Sequence, residues 1–357
     1  MKKYAIIALL ILVLGSIVLI PLFKNNGTDI PEMATFDFKE DIQTPFGRLL
    51  PMNITVPEGI TKVEFIYNDS VFKTWDRPSA HLTYLLESHF YGVGTRMAVV
   101  RSYRSDGTSS DDAHMIRVVS DIDPVQLKAS VVKEFPHNPL NYTQGLEFNE
   151  GQLFEGTGDP GRKGLTTIGA INMKTGLFGT VKNGLDATYF GEGITLFGDL
   201  LYQLTWQNGK CFVYDKKTMV LKKDFAYTGE GWGLCNDGKQ LIMSDGSERI
   251  YFRDPSTFQI VRTIDVYDNV APRTNINELE YINGRIYANI WQTNTVIVID
   301  PLTGKVMEEI DATALETAGK NGGDVLNGIA FNPATNKLYM TGKLWNKLFE
   351  VQLTPIQ

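Results

Sequence analysis

Cysteine and histidine are scarce in this chain. Two cysteines, Cys211 and Cys235, and four histidines, His81, His89, His114 and His137, are spread over 357 residues. Two cysteines are too few for a disulfide framework, and no C-x-x-C pair is present. A zinc centre draws three or four His, Cys or carboxylate ligands together. The few, scattered histidines do not suggest such a set, so a metal is not expected. Positive charge is also thin: 34 basic residues face 41 acidic ones, and no Lys/Arg cluster marks a nucleic-acid partner. Long amphipathic helical patterns are missing as well. In their place stand 33 glycines, 19 Phe and 15 Tyr, with short Val/Ile/Tyr runs between Asp-Gly, Asn-Gly and Asp-Pro pairs. That is the texture of an all-β protein rich in turns.

A single long hydrophobic run follows Met1-Lys2-Lys3, from Tyr4 to Phe23. Its length of about 20 residues matches the hydrocarbon thickness of a bilayer, and the preceding lysines put the N-terminus on the cytoplasmic side. No A-x-A site follows, so residues 1–25 read as an uncleaved signal anchor, with a cleaved signal peptide as the alternative. The absence of a cysteine after the run excludes lipidation through a processed cysteine. The remainder is expected outside the cytoplasm, in the periplasm or at the cell surface, held to the membrane by this segment.

Residues 31–123 carry short strand patterns at Met52–Val56, Thr61–Tyr67, Met97–Tyr103 and Met115–Val119, with turns such as Ser105-Asp106-Gly107. They suit a small immunoglobulin-like β-sandwich, read as a spacer without chemistry. After Asp123-Pro124 a repeat begins. Its first-strand triplets are Gln144-Gly145-Leu146, Glu192-Gly193-Ile194, Trp232-Gly233-Leu234, Asn277-Glu278-Leu279 and Asn327-Gly328-Ile329. Second strands follow at Leu153-Phe154, Leu201-Tyr202, Leu241-Ile242, Ile286-Tyr287 and Leu338-Tyr339. The triplets lie 48, 40, 45 and 50 residues apart, the length of a four-stranded blade. Residues 127–357 therefore read as a five-bladed β-propeller.

Equivalent repeat positions share a radius and a height about the axis. One ring is then Gln144, Glu192, Trp232, Asn277 and Asn327, too polar for blade packing. A second ring, four residues beyond each second-strand anchor, is Gly158, Trp206, Gly246, Trp291 and Lys343. Together they outline a pocket with indole walls and a few placed polar groups. Glu192 lies between two glycines that let backbone approach a ligand. Desolvation by indoles should raise its proton affinity, as suits a general acid/base. Gln144, Asn277 and Asn327 could equally close blades by hydrogen bonding, and Lys343 could be a rim lysine. Trp75 and Trp345 fall off the rings and read as packing residues. The string Gly156-Thr157-Gly158-Asp159-Pro160-Gly161 fits G-x-G-x-x-G by letter, but Pro160 and the lack of a following helix deny it a dinucleotide context.

Several strings place the repeat in a family. Phe135-Pro136-His137, Tyr142-Thr143-Gln144-Gly145-Leu146, Phe190-Gly191-Glu192-Gly193, Gly231-Trp232-Gly233-Leu234, Asn277-Glu278-Leu279-Glu280-Tyr281, Ala288-Asn289-Ile290-Trp291-Gln292-Thr293, Val325-Leu326-Asn327-Gly328-Ile329-Ala330 and Thr341-Gly342-Lys343-Leu344-Trp345 closely resemble the plant-type glutaminyl cyclase, or glutamine cyclotransferase, family. The resemblance runs from about Phe135 to Leu353. It implies a five-bladed propeller that works without a metal, with Glu192 as the catalytic acid/base and Asn277 or Lys343 stabilising charge on the reacting carbonyl. It also implies that Gln144, Phe190, Trp206, Trp232 and Trp291 surround the substrate, a peptide or protein with N-terminal glutamine, in a reaction that needs no cofactor; Tyr142 at the pocket edge and Asn327 of the first ring complete the expected substrate-binding set. Tyr142 departs from the phenylalanine of the plant enzymes and puts a hydroxyl at the pocket edge. A monomer is expected. The rival expectations are a catalytically silent surface propeller binding peptide or glycan, and a calcium-dependent propeller hydrolase, which would need more channel carboxylates than the first ring offers.

Overall fold

The computed structural model describes residues 32–161, 163 and 166–356. The apolar run Tyr4–Phe23 lies outside the described residues. Among those described, no helix is long and apolar enough to cross a membrane.

From Thr35 to Val119 the chain folds as two facing sheets. The smaller has the order Thr35–Phe36, Leu49–Thr55, His81–Glu87; the larger runs Ile42–Pro45, Ser109–Val119, Gly94–Arg104, Ile60–Tyr67, Ser70–Asp76. Successive side chains of a strand point to opposite faces. Met52, Ile54, Leu82 and Leu86 of the small sheet thus meet Val63, Phe65, Tyr67, Val100, Ile116 and Val118 of the large one in one buried core. Trp75 packs at the edge of that core, as its place outside the repeat suggests.

The rest is four-stranded antiparallel units in sequence. Unit 1 is Tyr142–Asn149, Gln152–Gly158, Thr167–Asn172 and Leu177–Gly184; unit 2 is Gly191–Phe197, Leu200–Thr205, Lys210–Asp215 and Leu221–Ala226. Unit 3 is Leu234–Asn236, Leu241–Ser244, Arg249–Arg253 and Ile260–Asp265; unit 4 is Ile276–Ile282, Arg285–Ile290, Thr295–Ile299 and Val306–Asp311. Unit 5 has three strands from the C-terminal end, Leu326–Asn332, Lys337–Gly342 and Lys347–Pro355, and takes its fourth from far upstream, Val125–Pro136. That strand also pairs in parallel with Val306–Asp311, which joins units 4 and 5 into one eight-stranded sheet. The strand begins two residues ahead of the boundary read at residue 127: Val125 and Gln126 already lie opposite Glu308 and Glu309.

Four of the five first-strand triplets lie within the inner strand of a unit and the third ends on it at Leu234; these inner strands are almost wholly buried, while outer strands such as Leu177–Gly184 and Leu221–Ala226 are mostly exposed. Each inner strand packs on the next, and the fifth packs back on the first, so the inner strands close a circle. The repeated glycine is what lets them touch. A Cβ on Gly145 would stand 2.5 Å from the Ile194 nitrogen, one on Gly193 2.5 Å from the Leu234 nitrogen, and one on Gly233 2.0 Å from the Asn277 oxygen. Where unit 4 has Glu278 instead, the carboxylate accepts backbone N–H bonds from Leu146 at 3.2 Å and Ile329 at 2.9 Å and ties two other units together.

The sandwich docks on the outer rim between units 3 and 4. Arg96 pairs with Asp265 at 2.5 Å, Thr95 bonds the Tyr267 hydroxyl at 3.0 Å, and the Val93 and Ser120 N–H groups donate to Thr303 and Asp268. Cys211 and Cys235 are both buried and unpaired.

Candidate active site

The site lies where the inner strands begin. In units 1, 2, 4 and 5 the ladder skips a step at the triplet: between Thr143 and Gly145, Gly191 and Ile194, Ile276 and Leu279, and Leu326 and Ile329. A bulge leaves its residue out of the ladder and re-aims its side chain, which frees Gln144, Glu192 and Asn277 to point inward. Trp232 stands just before its strand. The second ring leaves the ends of the second strands: Trp206 follows Leu200–Thr205, and Trp291 follows Arg285–Ile290.

Tyr142, Gln144, Phe190, Glu192, Trp206, Trp232, Asn277, Trp291 and Lys343 line one cavity of about 280 Å³, together with Pro160. The two ring glycines make room for its walls. A Cβ on Gly158 would lie 2.4 Å from the Phe190 ring, and one on Gly246, where φ is +85°, 2.6 Å from the Trp232 ring. The aromatic wall is built of two edge-contact groups: Tyr142 to Phe190 at 6.1 Å and Phe190 to Trp206 at 5.7 Å on one side, and Trp232 to Trp291 at 5.5 Å between centroids on the other.

Glu192 is 5% exposed. Its Oε1 accepts the Gln144 side-chain N–H at 3.0 Å. Burial pushes its carboxyl well above the usual range, the Lys343 charge opposes this, and the Glu230 charge adds to it. Lys343 is buried rather than a rim lysine. Burial pulls its ammonium below the usual range against the attraction of Glu192 and Asp324, and its Nζ sits 4.9 Å over the Tyr142 ring. The Tyr142 hydroxyl donates to Asp324 at 3.0 Å. The Asn277 side-chain oxygen is buried without a hydrogen-bond partner among the described residues.

Among the side chains expected around the substrate, Asn327 does not line this cavity. It is fully buried, and its Nδ2 donates to the Thr143 carbonyl at 2.9 Å and to Gln144 Oε1 at 3.3 Å. It therefore orients Gln144 from behind. His137 is likewise structural: Nδ1 bonds the Trp345 carbonyl at 2.8 Å and Nε2 bonds Glu155 at 3.1 Å, while Asn141 and Thr143 donate to the same carboxylate. Trp345 is buried and donates to the Asp324 carbonyl at 2.9 Å. The sequence reading missed Glu230 and Asp324, which bind the wall residues from outside. Glu230 carried a usable signal, because Gly229-Glu230-Gly231 repeats the Gly-Glu-Gly pattern that marks Glu192. Among the described residues, no three His, Cys, Asp or Glu side chains converge as a metal site would require.

The glutamine cyclotransferase family model matches residues 105–353. The chain belongs to the glutamine cyclotransferase family. As a cyclotransferase-family member it is an enzyme. It is 37% identical over 256 residues to the Arabidopsis thaliana glutaminyl-peptide cyclotransferase, across 70% of this chain and 76% of the relative. It also resembles the crystal structure of Myxococcus xanthus glutaminyl cyclase, with 38% identity and a TM-score of 0.61, over 66% of this chain and 100% of that one. The family match begins at residue 105, so most of this cyclotransferase's two-sheet sandwich lies outside it.

Proposed function

We propose that this chain is a glutaminyl-peptide cyclotransferase, built as a five-bladed propeller behind an immunoglobulin-like sandwich. Its reaction converts an N-terminal glutamine to pyroglutamate and releases ammonia. The α-amine attacks the γ-carbonyl carbon of the same residue, a C–N bond forms, and the bond to the side-chain nitrogen breaks. Glu192 takes a proton from the attacking amine and returns it to the departing nitrogen. Asn277 and Lys343 face the carbonyl oxygen as charge develops on it. The indoles hold the glutamine folded with amine near carbonyl, which is the main demand of an intramolecular closure.

The observation that carries this reading is the buried Glu192 carboxyl, held by Gln144 inside an aromatic cavity that also contains one buried lysine. Burial raises its proton affinity above that of an ordinary carboxylate, as suits a group that must both take and give a proton. No step calls on a metal. Lys2, Lys3 and the run Tyr4–Phe23 support an outward-facing, membrane-anchored placement, with peptides or proteins bearing N-terminal glutamine as substrates.

The test is incubation of a glutamine-initiated peptide with the purified protein and mass spectrometry for loss of ammonia. The same assay after EDTA treatment is expected to keep its rate. No turnover of such peptides would refute the reading, and inhibition that added zinc reverses would refute its metal independence.

A further inference from the structure

One carboxylate beside the cavity lines none of it. Glu230 lies in the loop between the outer strand of unit 2 and the inner strand of unit 3. Gly229 has φ +90°, and a Cβ on Gly231 would stand 2.1 Å from the Tyr227 hydroxyl, so only a glycine-flanked backbone fits there. The Gly231 N–H donates to the Trp206 carbonyl at 3.0 Å, which draws the loop against unit 2. The Glu230 side chain thereby comes between two walls of the site. Its Oε2 accepts the indole N–H of Trp206 at 2.8 Å and that of Trp232 at 2.9 Å, and its Oε1 accepts Gln207 at 3.0 Å.

A neutral acceptor would satisfy two indole N–H groups as well, so the charge calls for a further reason. Burial alone would raise the Glu230 carboxyl, but the donors Trp232, Gln207 and Trp206 together bring it below its usual range, so it stays an anion. That anion acts on Glu192. The other groups facing Glu192 are Gln144, which is neutral, Lys343, whose charge acts in the opposite sense, and the hydroxyls of Tyr142 and Tyr227. Asp324 acts on Lys343 in turn.

We propose that Glu230 is a positioning residue that clamps both indole walls with one oxygen and so places a negative charge beside the pocket that holds Glu192. The proposal rests on the reading of Glu192 as the acid/base. It gives the closure reaction two things from one side chain: rigid walls that fold the glutamine, and a carboxyl basic enough to take the amine proton.

The test uses Glu230→Gln, which keeps shape and an acceptor oxygen but loses charge, and Glu230→Ala, which also loses the clamp. In Glu230→Gln the acid limb of the kcat/KM profile against pH moves to lower pH, while KM stays within a fewfold of wild type. In Glu230→Ala, KM also rises about tenfold, as expected for lost hydrogen bonds to a charged group. An unmoved limb in Glu230→Gln, or an unchanged KM in Glu230→Ala, overturns the proposal. Should the alanine variant fail to fold, the limb in the glutamine variant decides alone. Glu192→Gln separates the two ideas. If the limb vanishes there but does not move in Glu230→Gln, only the clamp proposal falls; if it persists in Glu192→Gln, the Glu192 reading falls and the clamp proposal with it.

Discussion

Gln144 donates its side-chain amide to Glu192 Oε1 at 3.0 Å, and the direction of that bond is set one residue further back. Asn327 donates to Gln144 Oε1, so the Gln144 nitrogen is the end left for Glu192. A relay of two amides thus aims a donor at the buried carboxyl. Glu192→Gln keeps the shape and the hydrogen bond but cannot shuttle a proton. It is expected to lower kcat by at least about 100-fold with little change in KM. Steady-state kinetics on a glutamine-initiated peptide checks this, and near-normal kcat would make Glu192 a structural turn residue.

Lys343 supplies the opposing charge. Its ammonium favours the ionised form of Glu192, so Lys343→Met is expected to move the acid limb of the pH profile to higher pH. That is the opposite sense to Glu230→Gln. Loss of a charge aimed at the carbonyl oxygen should also reduce kcat roughly 100-fold. A limb that moves the other way would place Lys343 out of reach of Glu192.

In the proposed reaction the indoles hold rather than react. Trp206→Ala and Trp291→Ala remove large apolar walls, and each is expected to raise KM roughly ten- to a hundredfold while kcat changes less. Binding of a non-reactive glutamine-peptide analogue, followed by calorimetry, should weaken in parallel. Equal losses in kcat and kcat/KM with KM unchanged would mean that the walls act only in the transition state.

A second set of buried carboxyls, away from the cavity, bears on stability. Glu147 accepts bonds from the Thr195 hydroxyl at 2.7 Å and the Leu196 N–H at 3.1 Å, yet burial pushes it up to about 7, with the similarly raised Glu280 beside it. A folded-state value above the unfolded one means that its contribution is fully present below about pH 4.3. It is then lost as pH rises through 7. Denaturant unfolding followed across this window should show declining stability, and Glu147→Gln should flatten the decline while keeping both acceptor bonds. An unchanged slope would assign the pH dependence to other groups.

The sandwich contacts the outer rim through Arg96, Thr95 and Val93 rather than through any residue lining the cavity. A chain beginning at Ser120 keeps the whole strand Val125–Pro136. It is expected to fold and turn over within about threefold of the full protein, with a lower melting temperature because Tyr267 loses its cover from Val93. Starting at residue 127 instead would trim the strand that joins units 4 and 5, and a larger loss of stability is expected there.

By itself the sequence determined the repeat, because each inner strand must bury both faces and needs glycine where neighbouring backbones meet, as at Gly145, Gly193 and Gly233. It also determined which side chains share the cavity, since residues at equal repeat positions are carried to equal places around the circle. The tertiary structure alone decided which of them stand on the wall and which behind it. Asn327 and Gln144 occupy the same repeat position, yet Asn327 turns to the Thr143 carbonyl while Gln144 turns to Glu192. Glu230 and Asp324 belong to connecting loops, and their hydrogen bonds to Trp206 and Tyr142 exist only once separate units have been brought together. The start of the outermost strand was hidden for the same reason: Val125 is joined to Glu308 only by a pairing that spans more than half the chain, and no local pattern encodes a partner so far away.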